Sequence, residues 1–166
     1  MSPANQVEPT ADPEAVPPLP DAFAARLPLL LSRAGSDLAA FAEPRFAELG
    51  ITPKDYVALA VLADDEPGSQ LELAEACGRA PAMMVSVIDQ LAHKGLVARE
   101  RDPKDRRRSV VRLTPDGTQV LAAADREAER VSAAMLVALS PDEQTQLHDL
   151  MHRALRAVAP APHDGD

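Results

Sequence analysis

Tryptophan is absent from this 166-residue sequence, and aromatic residues amount to only 2% of it. A core built around stacked rings is therefore excluded. Apolar residues still make up 46%, so the interior must be assembled from Ala, Leu, Val and Met. Ala and Leu are strong helix formers, which points to a mostly helical chain. Cysteine occurs once, at Cys77, which rules out an internal disulfide and fits a reducing cytoplasm. No run approaches the ~18 uninterrupted apolar residues of a membrane span. The N-terminus lacks a basic stretch followed by an apolar one, so no secretory signal is expected. Glycine-rich phosphate loops, nucleophile elbows and metalloprotease motifs are also missing, and neither an enzyme nor a cofactor is expected.

Basic residues are outnumbered. The net charge is −9, which at first sight argues against a nucleic-acid partner. Distribution decides otherwise. From Ser69 to Leu113 nine basic residues face six acidic ones, a local net of +3, and the remainder carries −12. Phosphate contact is settled within a Debye length, roughly 8 Å, so an acidic body with one basic segment can still bind DNA.

Residues 1–20 hold six prolines and three acids and read as a disordered tail, as do residues 159–166. From Asp21, residues Phe23, Leu27, Leu30, Leu31, Leu38 and Phe41 follow a 3.6-residue period; Pro28 is tolerable early, and Pro44 should break or kink the helix. Thr52-Pro53 is a cap-plus-proline start for a helix through Tyr56, Leu59 and Leu62. A short helix from Gln70 to Cys77 stops at Gly78. A second starts near Ala80-Pro81, carries Met84, Ile88 and Leu91 inward, and stops at Gly95. Leu96 to Glu100 and Ser109 to Leu113 read as strands flanking a polar hairpin tip, Arg101 to Arg108. Thr114-Pro115 opens a helix expected to run through Val120, Leu121 and Met135 to Leu139. Ser140 and Glu143 form a capping box for a last helix through Leu147, Leu150, Met151, Leu155 and Val158.

Two short helices joined by a glycine turn, followed by a hairpin, make a winged helix-turn-helix candidate. The stretch LELAEACGRAPAMMVSVIDQLAHKGLVARERDPKDRRRSVVRLTPDG resembles the winged motif of the MarR family of bacterial regulators. Its most specific part is GLVARERDPKDRRRSVVRLTPDG, where Asp-Pro-x-Asp-Arg-Arg precedes a strand ending in Leu-Thr. ITPKDYVALAVL resembles the helix before the motif. The likeness runs from about Ala22 to Val158.

The resemblance implies a mostly α fold: a winged helix-turn-helix over residues 51–113 with a two-stranded β-wing, flanked by dimerisation helices over 21–50 and 114–158. It implies a homodimer, a cytoplasmic location and a pseudo-palindromic double-stranded operator. It also implies repression relieved by a small effector, often aromatic or phenolic, entering a cleft between the dimer helices and the motif. Position by position, Pro81 to Lys94 becomes the recognition helix, with Pro81, Ala82, Met83, Ser86, Gln90 and His93 facing DNA. In the wing, Asp105 would orient Arg107 into the minor groove, with Lys104, Arg106 and Arg108 on the backbone. Many relatives carry Thr-Arg where this chain has Val85-Ser86. Ala82 and Met83 cannot hydrogen-bond a base edge, so direct readout should rest on Ser86, Gln90 and contact with thymine methyls.

Cys77 is expected to be a small packed side chain rather than a redox sensor. His148 and His152 have the i, i+4 spacing of a metal pair but lack completing ligands, and are expected at the surface or a dimer contact. The competing functional class is an architectural or protein-interaction winged helix whose acidic body docks a partner.

Overall fold

The computed structural model describes residues 19–64, 69–101 and 109–158. Along them run α1 (Asp21–Ala24), α2 (Leu27–Glu48), α3 (Pro53–Asp64), α4 (Gln70–Ala76) and α5 (Pro81–His93). Strands β1 (Val97–Arg101) and β2 (Ser109–Leu113) follow, then α6 (Pro115–Met135) and α7 (Pro141–Val158). Of the expected tails, 1–20 and 159–166, all but residues 19 and 20 lie outside the described residues; so does the expected hairpin tip except Arg101, which ends β1. No helix among the described residues is long and apolar enough to cross a membrane. The chain divides into two compact units, residues 1–36 and 37–166.

The first unit holds α1 and the first turns of α2. The anticipated single helix from Asp21 is interrupted at Ala25–Arg26 and restarts at Leu27. Pro28 sits at the second position of that restart, where its missing N–H costs nothing. Pro44 does not break the helix as expected. It lies inside α2, which continues to Glu48. Proline removes the ladder bond to the carbonyl four residues back, and the helix runs on without it; next to it, the Arg45 side chain donates to the Phe41 carbonyl at 2.8 Å.

In the second unit the core is collected by α3, α4, α5, the hairpin and α6. Leu59, Leu73, Ile88 and Leu91 are its fully buried large side chains, with Met84, Val97, Val111 and Leu121 packed around them. The sequence supplies each start. Thr52 and Asp55 form a reciprocal capping box at α3: Thr52 N–H donates to Asp55 Oδ2 at 3.0 Å, and Asp55 N–H to Thr52 Oγ1 at 3.2 Å. Ser69 Oγ accepts from Glu72 N–H at α4. At α7, Glu143 Oε2 accepts from Ser140 N–H at 2.8 Å. The strands pair antiparallel, Val97 opposite Leu113 through Arg101 opposite Ser109. The helix opened at Thr114 ends at Met135, short of the expected Leu139. Leu136 leaves helical geometry, and Gln144 reaches back to bond the Leu136 and Leu139 carbonyls.

Candidate DNA-binding surface

Helix α4 ends because Gly78 adopts φ 61°, a left-handed conformation that costs glycine no Cβ clash. Gly78 N–H donates to the Glu75 carbonyl, and Arg79 N–H reaches the Ala74 carbonyl at 2.8 Å, so the turn satisfies the frayed helix end. Three residues later Pro81 starts α5. Met84, Val87, Ile88 and Leu91 of α5 are buried. The opposite side is free: Pro81, Ala82, Met83, Ser86, Gln90 and His93 are all exposed, and so are Val85 and Asp89. Ala82, Val85, Ser86, Asp89, Gln90, His93 and Lys94 line an open depression of about 460 Å³ along this face.

Val85, Asp89 and Lys94 were not picked out from the sequence, although helical spacing places 82, 85, 86, 89 and 93 in one stripe. Asp89 would repel phosphate if left alone. Arg99 of β1 donates to its carboxylate, which neutralises the acid and ties the foot of the hairpin to α5.

The C-terminal end of α5 is held. At its C-terminus Gly95 takes φ 72° and Leu96 N–H donates to the Leu91 carbonyl at 2.9 Å. Lys94 Nζ donates to Asp55 Oδ2 of α3 at 3.0 Å, with the aspartate 1% exposed and the lysine side chain 34%. Asp55 Oδ1 has no hydrogen-bond partner among the described residues. The start of α6 is pressed onto the same corner. Thr114 Oγ1 donates to the Gly95 carbonyl at 2.7 Å and accepts from Gly117 N–H at 3.0 Å, while Thr114 N–H bonds the Leu96 carbonyl. A rigid corner thus fixes where the exposed face of α5 stands relative to the hairpin.

Lys104, Asp105, Arg106, Arg107 and Arg108, the expected wing residues, lie outside the described residues. What is described is the base of the hairpin. Arg101 is exposed at its upper end, and Arg112 pairs with Glu100 across the strands at 3.7 Å.

A second feature was not legible in the sequence. Tyr56, Asp125, Ala128, Glu129, Ser132, Ala133, Leu136 and Gln144 line a cleft of about 560 Å³. Tyr56 O–H donates to Asp125 Oδ1 at 3.0 Å. Burial pushes the Tyr56 phenol up to about 12, helped by that bond and by the charges of Asp125, Glu129 and Asp64. Cys77 is half-buried, and burial raises its thiol against the opposing pull of Arg79. His148 and His152 are exposed with stacked rings, centroids 6.3 Å apart. No cluster of three or more metal-ligating side chains occurs among the described residues.

With this geometry in view, comparison with known proteins is decisive. A family model described as MarR family matches residues 51–109, from the start of α3 into β2. The transcriptional regulator HosA of Escherichia coli O111:H- is 33% identical over 107 residues, covering 64% of this chain and 79% of HosA. The chain belongs to the MarR family. It is a transcriptional regulator of the winged-helix type, and its mostly helical fold with a two-stranded sheet is the fold of MarR structures. CouR from Rhodococcus jostii RHA1, solved bound to p-coumaroyl-CoA, superposes with a TM-score of 0.74 over 89% of this chain and 100% of CouR. At 22% identity that likeness speaks for the fold alone. BpsR of Bordetella bronchiseptica, whose DNA binding is regulated by 6-hydroxynicotinic acid, is 28% identical with a TM-score of 0.67, covering 75% and 95% of the two chains. As a MarR-family regulator the chain is a DNA-binding protein and not an enzyme.

Proposed function

We propose that this MarR-family chain is a repressor that binds a pseudo-palindromic operator as a homodimer and lets go when a small molecule occupies the Tyr56 cleft. The observation that carries the reading is the two-sidedness of α5. One side is buried on the core, the other is exposed from Pro81 to His93, and the helix is pinned at its C-terminal end. A helix of 13 residues is about 20 Å long and enters a major groove roughly 12 Å wide. In this reading Ser86 and Gln90 face base edges and phosphates, Ala82 and Met83 offer apolar contact, and Arg106, Arg107 and Arg108 of the wing reach the neighbouring backbone or minor groove, Asp105 orienting Arg107 and Lys104 adding charge.

Residues 51–113 form the DNA-reading part, and 21–50 with 114–158 the dimerisation part. Exposed apolar side chains support this. Phe41 of α2 is 55% exposed, and Leu150 and Leu155 of α7 are 49% and 66% exposed, surface that a second copy would cover. Two-fold symmetry then sets half-sites about one helical turn apart. The cleft lies between α3 of the reading part and α6 and α7, so an occupant touches both. BpsR, regulated by a small acid, supports effector control. The protein acts in the cytoplasm, where the DNA is.

A footprint on the intergenic DNA beside the protein's own gene tests the reading. Protection of two half-sites that survives excess unrelated DNA is expected. Equal binding to all DNA, or none, would instead make this winged helix an architectural or protein-docking module.

A further inference from the structure

The polar groups around the Tyr56 cleft are unbalanced. Tyr56 commits its one proton to Asp125, leaving the phenol oxygen able only to accept. Gln144 commits its amide protons to the Leu136 and Leu139 carbonyls, at 3.2 and 3.0 Å, which leaves its Oε1 as the free group. Asp125 and Glu129 are carboxylates and acceptors only. The Ser132 hydroxyl is the one adaptable donor among the lining residues, and none of those residues is Lys, Arg or His. Arg126 and Arg130 occupy the same stretch of α6 but do not line the cleft, and Arg130 is taken up by Glu127. The walls are otherwise apolar: Ala128, Ala133, Leu136 and the Tyr56 ring.

Resting on the reading of this cleft as the effector site, we propose that it selects an organic cation, a protonated amine on a small apolar or aromatic body, over a carboxylic acid. A volume of about 560 Å³ suits a small organic molecule. An ammonium group placed between Asp125 and Glu129 supplies the missing donors and opposite charge at once, and the Tyr56 ring offers a cation–π face. A carboxylate there meets two like charges and a single donor. Burial is the main cause that raises the Tyr56 phenol, and the charges of Asp125, Glu129 and Asp64 push it in the same direction. The acid that regulates BpsR would therefore be a poor ligand here.

The test uses the full chain and three probes sharing one phenolic skeleton: tyramine as the cation, tyrosol as the neutral alcohol and 3-(4-hydroxyphenyl)propionate as the anion. Calorimetric Kd values should place tyramine at least tenfold tighter than the propionate, with tyrosol between. The gap should narrow as salt screens the two exposed carboxylates. The double variant Asp125→Asn, Glu129→Gln should shrink it to less than threefold. Ala133→Trp, which fills the cleft, should abolish binding of all three. Propionate binding as tightly as tyramine, with Ala133→Trp still blocking both, overturns the cation preference and leaves the cleft reading intact. Binding untouched by Ala133→Trp, or none by any probe, overturns the cleft reading and the preference together.

Discussion

At position 117 a methyl group has nowhere to go. A Cβ built on Gly117 would lie 2.0 Å from the Leu96 carbonyl oxygen, a backbone atom that cannot swing aside. Replacing a helix glycine by alanine ordinarily stabilises by up to about 1 kcal/mol. Gly117→Ala should do the reverse and cost about 1–3 kcal/mol in urea unfolding, the range of overpacked sites. A variant at least as stable as the parent would mean that the corner between α5 and α6 is soft. Tyr56 gives a second residue-scale prediction. It is the sole tyrosine and the chain lacks tryptophan, so near-ultraviolet phenolate absorbance reports on it alone. Its titration midpoint should lie near 12 rather than the usual 10, and Asp125→Asn should bring it down. Because the folded-state value is the higher one, the stability this proton contributes is complete below pH 10 and is lost as the pH rises towards 12. A midpoint at 10 in the intact protein would contradict the Tyr56–Asp125 bond.

Asp55 of α3 pairs with Lys94 at the C-terminal end of α5, and that pair shows what the sequence could and could not disclose. Helix starts at Thr52, Thr114 and Ser140 were readable because they are local, each residue bonding one three positions on; the Ser69 cap of α4, of the same kind, was not picked out. Turn glycines 78 and 95 were readable for the same reason, as was the inward stripe of α5. Lys94 meets Asp55 across 39 positions and Tyr56 meets Asp125 across 69. No spacing rule reaches that far, so the anchor of α5 and the lining of the cleft emerged only with the fold. Of the break or kink expected at Pro44, the break does not occur, because a local rule met a helix held by its neighbours, with Ala42 and Phe46 buried on either side of it. Asp55→Ala should cost about 2 kcal/mol, between a lost cap and a broken buried pair, since the half-exposed lysine can turn to water. Circular dichroism in urea is the measurement, and a loss under about 0.5 kcal/mol would make the pair incidental.

For the molecule as a whole, charge and apolar surface divide the work. The body is acidic and the basic residues gather from Arg79 to Arg112; in the proposed reading, repulsion from DNA orients the approach while the motif makes contact. Helix α7 has no fully buried residue among 141–157, and Leu147, Leu150 and Leu155 stand open, as expected of a helix whose partner is another copy. Deleting residues 140–166 should yield monomers or aggregates by light scattering, and a well-folded dimer of the shortened chain would contradict the intertwined assembly. The central claim, that α5 reads bases while the wing holds phosphates, is tested most directly by operator titrations over a range of salt concentrations, on single-base operator variants. Gln90→Ala should relax preference at one position per half-site, worth roughly 1–3 kcal/mol, and leave the salt slope unchanged because a neutral amide releases no counterions. Arg107→Ala should weaken every sequence and flatten the slope by about one. A uniform loss for Gln90→Ala, with Arg107→Ala within twofold of the parent at all salt concentrations, would contradict the account.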